Sequence, residues 1–452
     1  MANFENLFTL LEAKNYSAFM RAIDEQDPID TAEFISELPQ ERQLAVFRMF
    51  KKDISADIFA ELDSEVQERI ISTATDTEIS AMLEDLYVDD AVDMLEELPA
   101  NMVKRILQVA RPETRALINK FLSYPEDSAG SIMTAEFIDL RKSMTVGKAI
   151  EHIRKTGFDK ETIYVAYVTD NARVLEGTVR LEELLFAADE TMISEVMNTE
   201  FAFAGTHDDK ETVAAMISKY DLLALPIVDR EQRLVGIVTV DDAIDVIEEA
   251  ATEDIEMMGA ITPTDKPYLK TGVFETFKTR IPWLLLLMIS ATFTGQIIAG
   301  FEGALAAFPM LIAFIPMLMG TGGNSGGQAS VTIIRGLALD EIRMRDIIVV
   351  VWKELRVAVL CGVVLAICNF IKIILIDNLV FGNGIDPLSS LVVSLTLLVT
   401  VLVAKIIGAS LPIFAKRIGF DPAVMASPFI TTIVDAVSLI IYFAFARIIL
   451  GI

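Results

Sequence analysis

"TTIVDAVSLIIYFAFA" (residues 431–446) reads as membrane-buried helix except for one residue, Asp435. The nearest charged residues along the chain are Asp421 on one side and Arg447 on the other. An ionisable group near a bilayer centre costs about 2.5–3.5 kcal/mol on insertion scales, so it faces a bundle interior or a water-filled path. No charge in its own span can pair with it. The partner comes from elsewhere, unless polar neighbours such as Thr431 or Thr432 hold it as a structural residue.

Working outward from this span, residues 283–301 and 303–334 are uncharged, and further apolar stretches cover 347–376, 387–414 and 422–446. At ~20 residues per crossing, these make five spans, with termini on opposite sides. The 335–356 connection carries Arg335, Arg343, Arg345, Lys353 and Arg356, and the 415–421 connection carries Lys416 and Arg417; 377–387 carries no basic residue. The positive-inside rule places these basic loops, and the N-terminal region with them, in the cytoplasm of a plasma-membrane protein. Inside the second span, "FIPMLMGTGGNSGGQAS" (314–330) has two readings. Its glycines and Pro316 would break or loosen a helix, leaving backbone to line a cavity. Alternatively, small residues let helices approach closely. Gly323-Asn-Ser-Gly-Gly327 also matches the hydrolase pattern G-x-S-x-G, but both histidines, His152 and His207, lie far outside the membrane region, and no enzyme is expected.

The 452 residues are 53% hydrophobic, yet the formal net charge is −27. Residues 276–452 hold 12 Lys+Arg against 9 Asp+Glu, leaving 26 basic and 56 acidic residues in 1–275, so the two parts carry +3 and −30. An acidic soluble region is fused to a membrane region. Such acidity disfavours nucleic acid and anionic lipid and suits cations. The two cysteines, Cys361 and Cys368, lie in an apolar stretch and suggest neither a disulfide framework nor a zinc site. The N-terminus lacks the basic and apolar blocks of a signal peptide.

Turn signals recur about every dozen residues over 28–125, among them "LPQE" at 38, "LDSE" at 62 and "LPAN" at 98. Short helices at that spacing pair into hairpins and stack as a superhelix. From 130 to 250 the pattern changes. "SIMTAEFIDLRKSMTVGKAIEHI" and "EVMNTEFAFAGTHDDKETVAAMI" resemble each other, with Met133 and Met197 in step, and each precedes β-rich text. Each copy looks like a CBS domain. CBS pairs commonly bind adenine nucleotides through an acid after the last strand, which here is Asp241 in one copy and Glu182 or Glu183 in the other. The next stretch, "EEAATEDIEMMGAITPTDKPYLKTGVFETFKTRIPW", is acidic and then amphipathic, and Pro282 and Trp283 close it at the membrane edge.

In this order, "YPEDSAGSIMT", "EEAATEDIEMMGAI", "PMLMGTGGNSGGQAS" and "DPAVMASPFITTIVDAVSLIIYF" resemble the MgtE family of magnesium channels over essentially the whole chain. The resemblance implies an all-α superhelical N domain (1–129), two α/β CBS domains (130–192 and 193–251), a connecting or plug helix (252–279) and a five-helix membrane domain (280–452). It implies a homodimer that passes Mg²⁺ between its membrane domains, with Asp435 of each copy at the ion site and Gly323, Asn324 and Thr431 lining the pore. Gly327 stands where some members have a second asparagine. Cytosolic Mg²⁺ would close the pore through Asp57, Asp89 and Asp93 of the N domain, Asp221, Asp242 and Asp245 of the second CBS domain, and Glu253 and Asp254 of the connecting helix. ATP is a further expected ligand. The other functions considered are an ion-coupled secondary transporter of divalent cations and a CBS sensor with a membrane anchor.

Overall fold

A computed structural model describes residues 4–264, 268–269, 271–339 and 341–451 and separates into two compact units, 1–247 and 248–452. The first unit begins with ten short helices: α1 (Phe4–Glu12), α2 (Tyr16–Ile23), α3 (Pro28–Glu37), α4 (Gln40–Phe47), α5 (Lys52–Ala60), α6 (Ser64–Thr73), α7 (Asp76–Asp85), α8 (Val88–Glu97), α9 (Ala100–Val109) and α10 (Pro112–Phe121). Their first residues recur every twelve positions. Local chemistry sets the starts. Asp27 accepts the Ile29 amide ahead of Pro28, and Thr75 with Glu78 forms a reciprocal capping box. Ends are tied by buried amides: Gln43 donates to the Leu38 carbonyl (3.2 Å) and Gln67 to the Phe59 carbonyl (2.9 Å). Alternate helices pack on one another (α3 on α5, α5 on α7, α4 on α6, α6 on α8), which winds the chain into a superhelix. The repeat starts at Phe4, earlier than the turn signals suggested, with Asn15 capping α2 by accepting the Ala18 amide.

Two matching α/β modules follow. The first holds β1 (Ile138–Leu140), α11 (Val146–Thr156), β2 (Val165–Thr169), β3 (Leu175–Arg180) and α12 (Leu181–Phe186). After the short α13 (Ile193–Val196), the second holds β4 (Ala204–Gly205), α14 (Lys210–Tyr220), β5 (Ala224–Val228), β6 (Leu234–Thr239) and α15 (Val240–Met258). In each sheet the first pairing is parallel and the second antiparallel. The methionine segments cross over. Thr134 bridges Ile237, so Met133 sits over Gly236 of the second module, while Asn198 bridges Thr178 and Met197 sits over Gly177 of the first. A β-carbon at Gly236 would lie 2.9 Å from Met133 Sδ, which explains the glycine. Each module therefore completes its partner's sheet. The N-domain core runs on into the second module through Ala129, Met133, Val213 and Ile227.

The second unit contains α16 (Val273–Gly300), α17 (Glu302–Ala307), α18 (Ile315–Ala338), α19 (Ile347–Lys372), α20 (Pro387–Arg417) and α21 (Ser427–Leu450). Among the described residues, four helical stretches are long and apolar enough to cross a membrane: Val273–Gly300, Met344–Val380, Pro387–Arg417 and Pro422–Leu450. The 24-residue α18 has spanning length but is diluted by glycine and polar residues, so the arrangement is consistent with five spans. Of the two readings of 314–330, the structure takes the second: α18 is one unbroken helix whose glycines serve close packing, and Pro316 sits in the first turn, where a missing N–H costs nothing. Pro282 lies inside α16, which runs on through it instead of ending there. The connecting segment, expected as a helix over 252–279, is two helical pieces. Residues 252–258 end α15 and 273–279 begin α16, while 259–264 are non-helical; residues 265–267 and 270 lie outside the described residues.

Candidate ion site and acidic cluster

In the membrane unit α18 runs antiparallel to α21, with glycines at three close contacts. A β-carbon at Gly323 would stand 2.8 Å from Thr431 Cγ2, one at Gly322 2.9 Å from Val434 Cγ1, and one at Gly326 2.8 Å from Ile430 Cγ2. On its other side α18 meets α20, where the Gly408 backbone abuts the Gly326 carbonyl. Continued one turn, the same register brings Gly320 level with Asp435. Gly320 has open space where a side chain would be. Asp435 Oδ1 is buried and has no hydrogen-bond partner among the described residues. A buried carboxylate oxygen without a donor is costly, and a cation beside it removes the cost. Thr431 packs against buried Gly323, while Asn324 is exposed on the face that also carries Gly320. Sequence reasoning missed Thr400 of α20, whose buried hydroxyl is also without a partner. Its signal, one of two threonines in an apolar helix, is too common to single out.

The first unit gathers acids from α5, α8, α15 and the loops that carry Glu136 and Glu161. Burial, followed by the charges of Asp90, Asp242, Glu161 and Glu136, holds the Asp89 carboxyl well above the usual carboxylate range. Asp89 Oδ1 is likewise buried and without a hydrogen-bond partner. Burial together with Asp242, Glu61 and Asp57 pushes Asp90 up to about 6. Asp93 keeps solvent contact as a residue, yet burial of its carboxyl group and the charges of Asp90, Glu96 and Asp242 push it to about 7. Glu161 is also pushed to about 7, by burial and by Asp242 and Asp241. Asp242 is raised by burial, although Thr239 hydrogen-bonds to its carboxylate, and Asp245 acts chiefly on Glu61, which burial raises first.

Asp57, Asp89, Asp93, Asp242 and Asp245 thus belong to one electrostatic group. Glu61, Asp90, Glu136 and Glu161 are members that sequence reasoning missed; Glu136 and Glu161 sit in the first module, where no acidic run draws attention. Asp221 does not join them. It caps α14 in the left-handed conformation, φ 51°. Glu182 is bound to Arg180 at 2.8 Å, and Asp241 is exposed on the first turn of α15. Glu253 and Asp254 belong to the second unit, where burial and the nearby Asp421 push Asp254 to about 6. Among the described residues no three such side chains already form a metal cage. The donor set, all carboxylate oxygen with an orphaned Asp89 oxygen at its centre, nevertheless fits a hard divalent cation.

A membrane bundle with an unpartnered intramembrane acid, joined to a helical repeat and a CBS-type pair, defines a cation transporter with a large soluble region. Comparison with known proteins agrees. Residues 315–445 match the MgtE divalent cation transporter model, 26–127 the MgtE intracellular N domain and 193–249 the CBS domain. The magnesium transporter MgtE of Thermus thermophilus is 36% identical over 97% of both chains, and that of Bacillus subtilis is 31% identical over 97% of this chain and 96% of its own. The crystal structure of the soluble part of a magnesium transporter matches 55% of this chain and 98% of its own, at 30% identity and TM-score 0.53. The cytosolic domain of the Mg²⁺ channel MgtE in complex with ATP matches 54% of this chain and 99% of its own, at 34% identity and TM-score 0.51. The chain belongs to the MgtE family of magnesium transporters.

Proposed function

We propose that this magnesium transporter is a homodimeric channel for Mg²⁺ uptake across the plasma membrane, with the path running along the exposed face of α18 past Asp435. The observation that carries the reading is the buried, unpartnered Asp435 oxygen on the helix that packs against the glycines of α18. Two such carboxylates facing each other across a two-fold axis repel unless a cation intervenes. Mg²⁺ dehydrates reluctantly and keeps several waters while touching one or two carboxylates, so a gap left by glycine suits the hydrated ion. Apolar residues exposed on the CBS pair, notably Leu185, Phe186, Tyr220, Ile244 and Ile247, supply a face that a second copy would cover.

The acidic cluster acts as the sensor in this reading. Empty, its carboxylates repel. Mg²⁺ bound only to the docked arrangement shifts the population toward it and closes the pore from the cytoplasm. Moving a gate from mostly open to mostly closed takes about 5.5 kcal/mol of differential binding, which several weak sites can sum to. Glu253, Asp254 and Asp421 form a second acidic group that an ion would bridge, and Asp221, away from the cluster in its own chain, would serve across the dimer. The CBS pair also takes ATP in this proposal, as the relative's cytosolic domain does, with Asp241 free to meet a ribose.

Purified protein in liposomes tests the channel reading. Mg²⁺ should enter down its own gradient with no H⁺ or Na⁺ gradient imposed; an absolute need for either would favour an ion-coupled carrier.

A further inference from the structure

The exposed face of α18 continues beyond the ion site. Past Gly320 and Asn324, the uncovered residues are Gln328, Val331, Thr332 and Arg335, following the three- and four-residue steps of one helical stripe. The opposite side, including Ala329, Ser330, Ile333 and Ile334, is buried. Two amides and a guanidinium in succession are the wrong chemistry for acyl chains, and polar side chains at membrane depth face a bundle interior or water. Several basic residues of the membrane unit are held by partners. Lys405 pairs with Glu354 and Lys372 with Asp377, and Lys416 donates to the Leu337 carbonyl. Arg335 makes no ion pair among the described residues. It stands eleven residues beyond Asn324, about 16 Å along the helix toward the end that bears the basic loop.

We propose that Arg335 is a fixed positive charge in the ion path on the cytoplasmic side of Asp435, and that it favours inward over outward Mg²⁺ flow. The inference rests on the path running along α18. A Mg²⁺ ion arriving from the cytoplasm meets the guanidinium before any pore carboxylate offsets its charge, so the local cation concentration at that mouth falls. The repulsion is twice that felt by a monovalent ion, and salt screens it over ~8 Å at physiological strength. An ion arriving from outside is already held at Asp435 and passes Arg335 down its gradient. The property needed is charge, not guanidinium geometry, so lysine should substitute and glutamine should not.

The test uses full-length protein in excised patches with Mg²⁺ as charge carrier. Arg335→Gln should raise outward relative to inward current by about threefold at matched voltage, and less at high salt. Arg335→Lys should keep the native ratio. A native ratio in Arg335→Gln, with Asp435→Asn silent, would overturn this inference and leave the pore reading standing. Normal conduction by Asp435→Asn would overturn the pore reading itself. Should Arg335→Gln fold poorly, Arg335→Cys in a background lacking Cys361 and Cys368 offers a second route. A cationic thiosulfonate applied from the cytoplasmic side should restore the ratio and an anionic one should not; no change with either reagent overturns the inference.

Discussion

Gly323 and Thr431 touch so closely that a β-carbon on the glycine would stand 2.8 Å from the threonine methyl. This contact sets the spacing of α18 and α21 one turn from Asp435. Gly323→Ala should therefore push the helices apart, costing about 1–3 kcal/mol and most of the Mg²⁺ flux. Gly295→Ala in α16, where nothing lies within 4 Å of the new carbon, should cost neither. Thermal unfolding in detergent and liposome flux on both variants would decide. Equal behaviour of the two would show that the glycine contact does not hold the ion site.

The acidic cluster makes a pH prediction with a definite sign. Asp90, Asp93 and Glu161 sit near 6, 7 and 7, above their unfolded values, so the folded first unit binds more protons than the unfolded chain. Without divalents, their favourable contribution is fully present below about pH 4 and is lost as pH rises through 6 to 7. Hydrogen exchange of α8 in EDTA should thus slow, after correction for intrinsic rates, as pH falls from 8 to 6. Saturating Mg²⁺ should flatten the profile, because the bound ion stabilises the ionised form. Asp89→Asn should increase protection in EDTA yet shrink the gain from Mg²⁺. A profile that Mg²⁺ leaves unchanged would reduce the cluster to a solvated surface.

Lys405 and Glu354 form an ion pair between α20 and α19, 3.8 Å apart, with side chains 7% and 12% exposed. Removing one partner strands the other charge among apolar helices. Lys405→Met should cost about 3–5 kcal/mol of stability, and the double change with Glu354→Gln should recover most of it. Additive losses in unfolding measurements would contradict direct coupling.

Legibility in the sequence followed the physics of each segment. The helical repeat was readable from residue 28 because Pro, Asp and Ser punctuate its turns, whereas the turn at Lys14–Asn15 is marked only by the capping Asn15. Asp435 declared itself because charge in an apolar run has few explanations. The glycines of α18 were ambiguous, since low helix propensity and tight packing predict opposite structures from the same letters. Contacts with Thr431, Val434 and Gly408 decided for packing. Glu136 and Glu161 escaped because only the folded chain brings them to Asp89 and Asp242.

The measurement that bears most directly on the account is Mg²⁺ flux through Asp435→Asn in liposomes, at matched incorporation and with dimer content checked. Asparagine keeps the volume of the side chain but removes the charge that offsets partial dehydration of the ion. The account predicts a folded dimer with flux abolished or severely reduced; near-native flux would contradict Asp435 as the pore site.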